Sequence, residues 1–177
     1  TSNNTLRDEQ KGYYVNYVDG DFIEDNLSVD TVLVYLFGIS NEVRSNRMLD
    51  AMENLLETKN NQLQEAGDYG VMCVYPFYKG VYSSYGKSSQ DYEYHNGGNW
   101  PYWSAIYAYA KFLAGREWRY ALESWFVYNL ERGIFTPVEY FSPCRKSGST
   151  LQAWSGAAAF TLDFIDKDSF FAPNHLK

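Results

Sequence analysis

Five stretches of this chain place apolar side chains three and four residues apart, the repeat of an amphipathic helix. The first runs from Ser28, a plausible N-cap, and carries Val29, Val32, Leu33, Leu36 and Phe37 on one face before Gly38. The second, 41–59, has Leu49, Met52, Leu55 and Leu56 inward and Arg44, Arg47, Asp50 and Glu53 outward. The connection between these two is short, so they should pack as an antiparallel hairpin. The third begins at Trp100, with Pro101 tolerated in its first turn, and aligns Trp103, Ile106, Tyr107, Ala110 and Leu113. The fourth, between Gly115 and Gly133, aligns Ala121, Leu122, Trp125, Phe126 and Asn129. The fifth, from Thr150 to about Ile165, turns Trp154, Ala157, Ala158, Thr161 and Leu162 inward, and the tail ends in Phe170, Phe171 and Pro173.

The spacers alternate between tight and long. Residues 1–12 are a polar, flexible lead-in. Residues 13–26 form an ordered loop or short hairpin turning at Asp19-Gly20. Residues 60–99 are rich in Gly, Ser, Tyr and Asn, with a short strand expected over Val71–Val74, and 134–149 is a second long loop. Loops of that length in a compact domain usually carry function. Tight turns on one side and long aromatic loops on the other predict an all-α fold: helical hairpins in a ring, with a short β-hairpin among the loops of the binding face. Five helices do not close such a ring, and no fixed-period repeat is visible.

At 177 residues the chain is one domain or half of a large one. Its net charge of −7 argues against a nucleic-acid partner, which needs a basic face. No apolar run approaches the roughly 20 residues that span a bilayer. Cys73 and Cys144 have no CxxC spacing and His95 and His175 lie far apart, so neither a disulfide framework nor a zinc site is expected, and no cofactor motif is present. Free cysteines without a visible leader favour the cytoplasm. The acidic stretch Asp19, Asp21, Glu24, Asp25 and Asp30 does not match a calcium loop and reads as a solvated surface.

Aromatic residues make up 19% of the chain, and many fall in the loops beside carboxylates and carboxamides. Residues 91–101 hold Asp91, Glu93, His95, Asn96 and Asn99 among Tyr92, Tyr94 and Trp100, with Gly97-Gly98 allowing close backbone approach. Polar groups that bind hydroxyls, set among flat rings that stack on sugar faces, suit a carbohydrate. An irregular loop with its rings in the core is the competing reading. Glu139, in Pro137–Pro143, sits among apolar neighbours, either as a solvated charge or as a functional carboxylate whose burial would be costly. Gln152 and Trp154 open the fifth helix, where a Trp is ordinarily core.

Three of these segments, in this order, resemble the six-hairpin glycosidases, whose fold is an (α/α)6 barrel. YHNGGNWP at Tyr94–Pro101 is similar to a segment of neutral invertases and related bacterial enzymes. PVEYFSP at Pro137–Pro143, with Gly148 after it, resembles their Trp-Pro-Glu-Tyr-Tyr segment, and LQAWSGAA at Leu151–Ala158 resembles the amylo-α-1,6-glucosidase group. The resemblance implies an inverting glycoside hydrolase acting on an oligosaccharide or glucan. It implies Glu139 as general base, with Tyr94, His95, Asn96, Trp100, Gln152 and Trp154 contacting sugar. The family's general acid lies well upstream of these segments. The resemblance therefore implies a C-terminal part, 1–177 as one domain, inactive alone and paired with its missing N-terminal portion or with a second copy. A non-catalytic carbohydrate-binding module is the first alternative. A phosphorylase using Arg145 and Lys146 as its anion site is the second.

Overall fold

A computed structural model describes residues 6–78, 90–144 and 147–171. The five helical segments form where the spacing puts them. A 3-10 turn at Val29–Val32 runs into α1 (Leu33–Leu36), and α2 (Glu42–Leu55), α3 (Pro101–Leu113), α4 (Arg119–Glu131) and α5 (Ala153–Phe171) follow. The Asn41 carboxamide caps α2 by accepting from the Arg44 N–H at 3.0 Å. The stops at Gly38, Gly115 and Gly133 share one geometry. Each glycine has φ between 63° and 68°, and the residue after it donates to a carbonyl five residues back, as Arg116 does to Lys111 at 2.8 Å.

The all-α expectation is overturned. Among the described residues six short strands, 14 residues in all, pair into three antiparallel ribbons beside the helices, a mixed fold and not a helical toroid. β1 (Arg7–Asp8) pairs with β2 (Tyr13–Tyr14), β3 (Tyr17–Asp19) with β4 (Phe22–Glu24), and β5 (Leu27–Ser28) with β6 (Val74–Tyr75). Strands of two or three residues are too short to show an alternating pattern, so the helical period dominates the reading. The hairpin at Asp19-Gly20 was legible, closing with Asp19 opposite Phe22, and the strand expected over Val71–Val74 meets β6 at Val74 and a bridge from Val71 to Glu57.

The expected α1–α2 hairpin also gives way. α3 is the hub, packed on α4, α5 and the 3-10 turn, while α2 lies against β2. Leu27, Val29, Val32, Met48, Leu49, Met52, Leu56, Val71, Met72, Val74, Tyr107, Ala108, Ala121 and Leu122 make one core. Each buried Leu or Met there contributes about 1.5–3 kcal/mol. Ser28 is extended and does not cap the turn, its hydroxyl facing the Cys73 carbonyl instead. Phe37 is 73% exposed and Trp154 47%, against the inward placement expected of both.

A buried ion pair lies inside this core. Lys111, on the last turn of α3, is fully buried and pairs with the equally buried Glu57 just beyond α2. Tyr107 donates to the same carboxylate at 3.1 Å, Asn60 reaches its other oxygen at 3.3 Å, and Lys59 stands 3.5 Å away. Burial beside that negative charge pushes the Tyr107 hydroxyl well above its usual range. Arg116 extends the join outward to Asp50 at 2.7 Å and Glu53 at 3.2 Å.

Candidate functional site

The backbone around Glu139 is built by pairing and not by a helix. Its N–H donates to Ser149 O at 2.9 Å, and the Gly148 N–H donates to Tyr140 O at 3.0 Å. On the other side Asn99 and Phe141 exchange both bonds at 2.9 Å. The Asn99 side chain is itself fixed, accepting from Ser104 Oγ at 2.8 Å and donating to Tyr69 O at 3.2 Å. Phe141, fully buried, stacks on Tyr128 at 3.9 Å. Glu139 thus sits half-buried on an anchored backbone, and its Oε2 accepts from the Ser149 N–H at 3.2 Å.

Beside it the rings form a column. His95 lies parallel to Trp100 at 4.6 Å, and Trp100 stacks on Tyr140 at 5.4 Å. Tyr94 meets all three edge-on, at 4.1 Å from His95, 5.1 Å from Trp100 and 5.2 Å from Tyr140. The Tyr94 carbonyl accepts from Trp100 Nε1 at 3.0 Å and from the Gly98 N–H at 3.2 Å, which folds the loop on itself. Tyr92 and Tyr94 hold positive φ, 70° and 42°, the cost of that tight fold. Partial burial in the column lowers the His95 imidazole below its ordinary value, and the nearby Glu139 charge opposes the shift. His95 is therefore neutral near pH 7 and free to accept or donate one hydrogen bond.

The expected sugar contacts separate into two groups. Trp100 is buried, stacked with both His95 and Tyr140, whereas His95 is exposed and is the ring of this cluster that meets solvent. Asn96 is fully buried, its carboxamide committed to the Tyr78 N–H at 2.7 Å and to Asp91 at 3.4 Å. Gly97 and Gly98 make room for the protein and not for a ligand. A Cβ at 97 would overlap the Phe77 ring, and one at 98 would lie 2.6 Å from Tyr94 O. Trp154 is open, 47% exposed on the first turn of α5, and Gln152 is half-buried. Gln152 N–H donates to Pro137 O at 3.0 Å, which holds the start of α5 to the segment carrying Glu139. The candidate anion pair Arg145 and Lys146, the tail beyond residue 171 and the side chains of Ala157, Leu162, Phe170 and Phe171 lie outside the described residues.

The roles of Tyr140 and the Ser149 amide are not written in residue type. A backbone donor leaves no sequence signal, and a ring in a stack looks like any core ring. Two open clefts of about 500 and 450 Å³ lie elsewhere, and neither is lined by Glu139, His95 or Trp154. The larger, between α4 and residues 59–70, holds Lys59, Asp68, Tyr120, Glu123 and Glu131. No family model matches the chain, and no curated protein matches it either.

Proposed function

We propose that this chain belongs to a glycoside hydrolase acting on an oligosaccharide or glucan, with Glu139 as the base that draws a proton from the attacking water. One observation carries the reading. The three segments that resemble glycosidase motifs are distant in sequence, and the fold brings them together: Tyr94 and Trp100 pack on Tyr140, and the Gln152 N–H is bonded to Pro137 O. The half-buried Glu139 carboxylate, whose charge reaches the His95 imidazole, supports the reading, as does the exposed Trp154 indole two residues beyond Gln152. His95 and Trp154 offer the accessible ring surfaces. Asn96 and Trp100 act behind them, as the frame of the loop. A second carboxylic acid, supplied by the rest of the enzyme or by another copy, protonates the leaving oxygen.

Glu139→Gln in the complete enzyme should lower the release of reducing sugar from gluco-oligosaccharides by roughly 10²–10⁴-fold. Calorimetric binding of the same oligosaccharides should persist. Hydrolysis at the wild-type rate removes the assignment. A carbohydrate-binding role without catalysis is favoured by the exposure of Trp154, whose ring is available whatever Glu139 does. Binding that Trp154→Ala weakens, in an enzyme indifferent to Glu139→Gln, would establish that second role.

A further inference from the structure

We propose that Gly148 and Ser149 are positioning residues for the Glu139 carboxylate, a clamp made by the segment that pairs with Glu139 and Tyr140 through backbone hydrogen bonds. The inference rests on the reading of Glu139 as the base. Glu139 leans across its partner segment, over the position where residue 148 would carry a side chain. A Cβ at 148 would overlap Glu139 Oε2, lie 2.6 Å from Glu139 Cβ and lie 2.8 Å from Tyr140 Cδ1. The carboxylate end can swing away from such a contact. Glu139 Cβ cannot, because it is fixed to a backbone bonded to Ser149 O at 2.9 Å. The Tyr140 ring cannot yield either, held between Trp100 and the edge of Tyr94. Any side chain at 148 therefore has to open that pairing. With glycine there, Oε2 comes down onto the Ser149 N–H at 3.2 Å.

This contact fixes one carboxylate oxygen of a group whose charge reaches His95. A base acts only when its lone pair is aimed at the water that it deprotonates, and an error of about 1 Å can cost roughly 10²-fold in rate. A half-buried carboxylate on a flexible two-carbon stem needs such a fixture. A backbone N–H supplies it without adding a second titrating group beside the base. Gly156 is the natural control. It lies near the same segment, yet a Cβ there would meet only Pro137 Cγ at 3.5 Å, ordinary contact.

The test is a pH titration of the 177-residue chain by NMR. The Ser149 amide proton should shift with the same midpoint as the Glu139 side-chain carboxyl carbon, because ionising the acceptor polarises the N–H that donates to it. Gly148→Ala should abolish that shared titration, and Gly156→Ala should keep it. A wild-type Ser149 amide indifferent to the carboxyl midpoint overturns the clamp, even if Gly148→Ala does not fold. So does a shared titration that survives in Gly148→Ala. In the complete enzyme Gly148→Ala should lower kcat about tenfold or more, a larger change than any in KM, since the carboxylate loses its fixture. A rise in KM alone overturns the positioning role. Hydrolysis that survives Glu139→Gln overturns the underlying reading instead, and the amide titration decides the clamp separately.

Discussion

His95 gives up part of its hydration to lie parallel on Trp100, and the neighbouring Glu139 charge only partly compensates. Its folded-state pKa is lowered, so below about pH 6.5 the unfolded chain takes up a proton that the folded chain resists. This group's contribution to stability is therefore full above that pH and is lost as pH falls below it. His95→Gln, which does not titrate, should flatten the decline of Tm below about pH 6.5 relative to wild type. Parallel Tm-versus-pH curves for the two proteins would show that the stack leaves the imidazole unperturbed. Chemically, the lowered value keeps His95 neutral near pH 7. The column is thus a frame with one wet face, and its charge state follows from which ring meets solvent.

At the scale of elements, the join between α2 and α3 decides whether the frame stands. Lys111 ends α3, and Glu57 follows α2, both withdrawn from water. Deleting one partner leaves an uncompensated buried charge, which costs about 3–5 kcal/mol. Lys59 remains 3.5 Å from Glu57, so Lys111→Met should fall at the low end, about 3 kcal/mol by urea unfolding. Adding Glu57→Gln should recover part of that loss, because the stranded charge goes with it. A double variant less stable than the single one would mean that the network acts through packing and not through charge. At the same end of α3, just past its last turn, Gly115→Ala should cost about 1 kcal/mol, since alanine is strained at φ 68°. Chemical denaturation of that variant separates this backbone effect from any loss of contacts.

At the scale of the whole molecule, the outward faces of α4 and α5 stay apolar in places. Val127 and Leu130 on α4 and Phe160 and Phe164 on α5 are half or more exposed, and the last two lie one turn apart on one face. Exposed apolar surface of this kind favours association. Sedimentation velocity should show an average mass that rises with concentration, and Phe160→Ser with Phe164→Ser should suppress the rise. A monomer up to about 100 µM, where even weak contacts register, would count against a protein partner on this face.

The helices were legible because each buries a stripe of its own residues and stops at a glycine with positive φ, both local properties. Motif order likewise singled out Glu139, His95 and Trp154 before any coordinates. Pairing was not local. β5 meets β6 across some 45 residues, and Asn99 meets Phe141 across 42. Two-residue strands carry no periodic signal of such partnerships, so an all-α reading was the natural error. Nor could residue type say which ring of the column meets solvent, or that Asn96 is spent on the Tyr78 backbone. Helix positions were thus determined by the sequence itself, because each depends on neighbours along the chain. The mixed fold, the buried Lys111–Glu57 pair and the seat of Glu139 over Gly148 were decided only in three dimensions, because each is a contact between segments whose separate patterns are silent about one another.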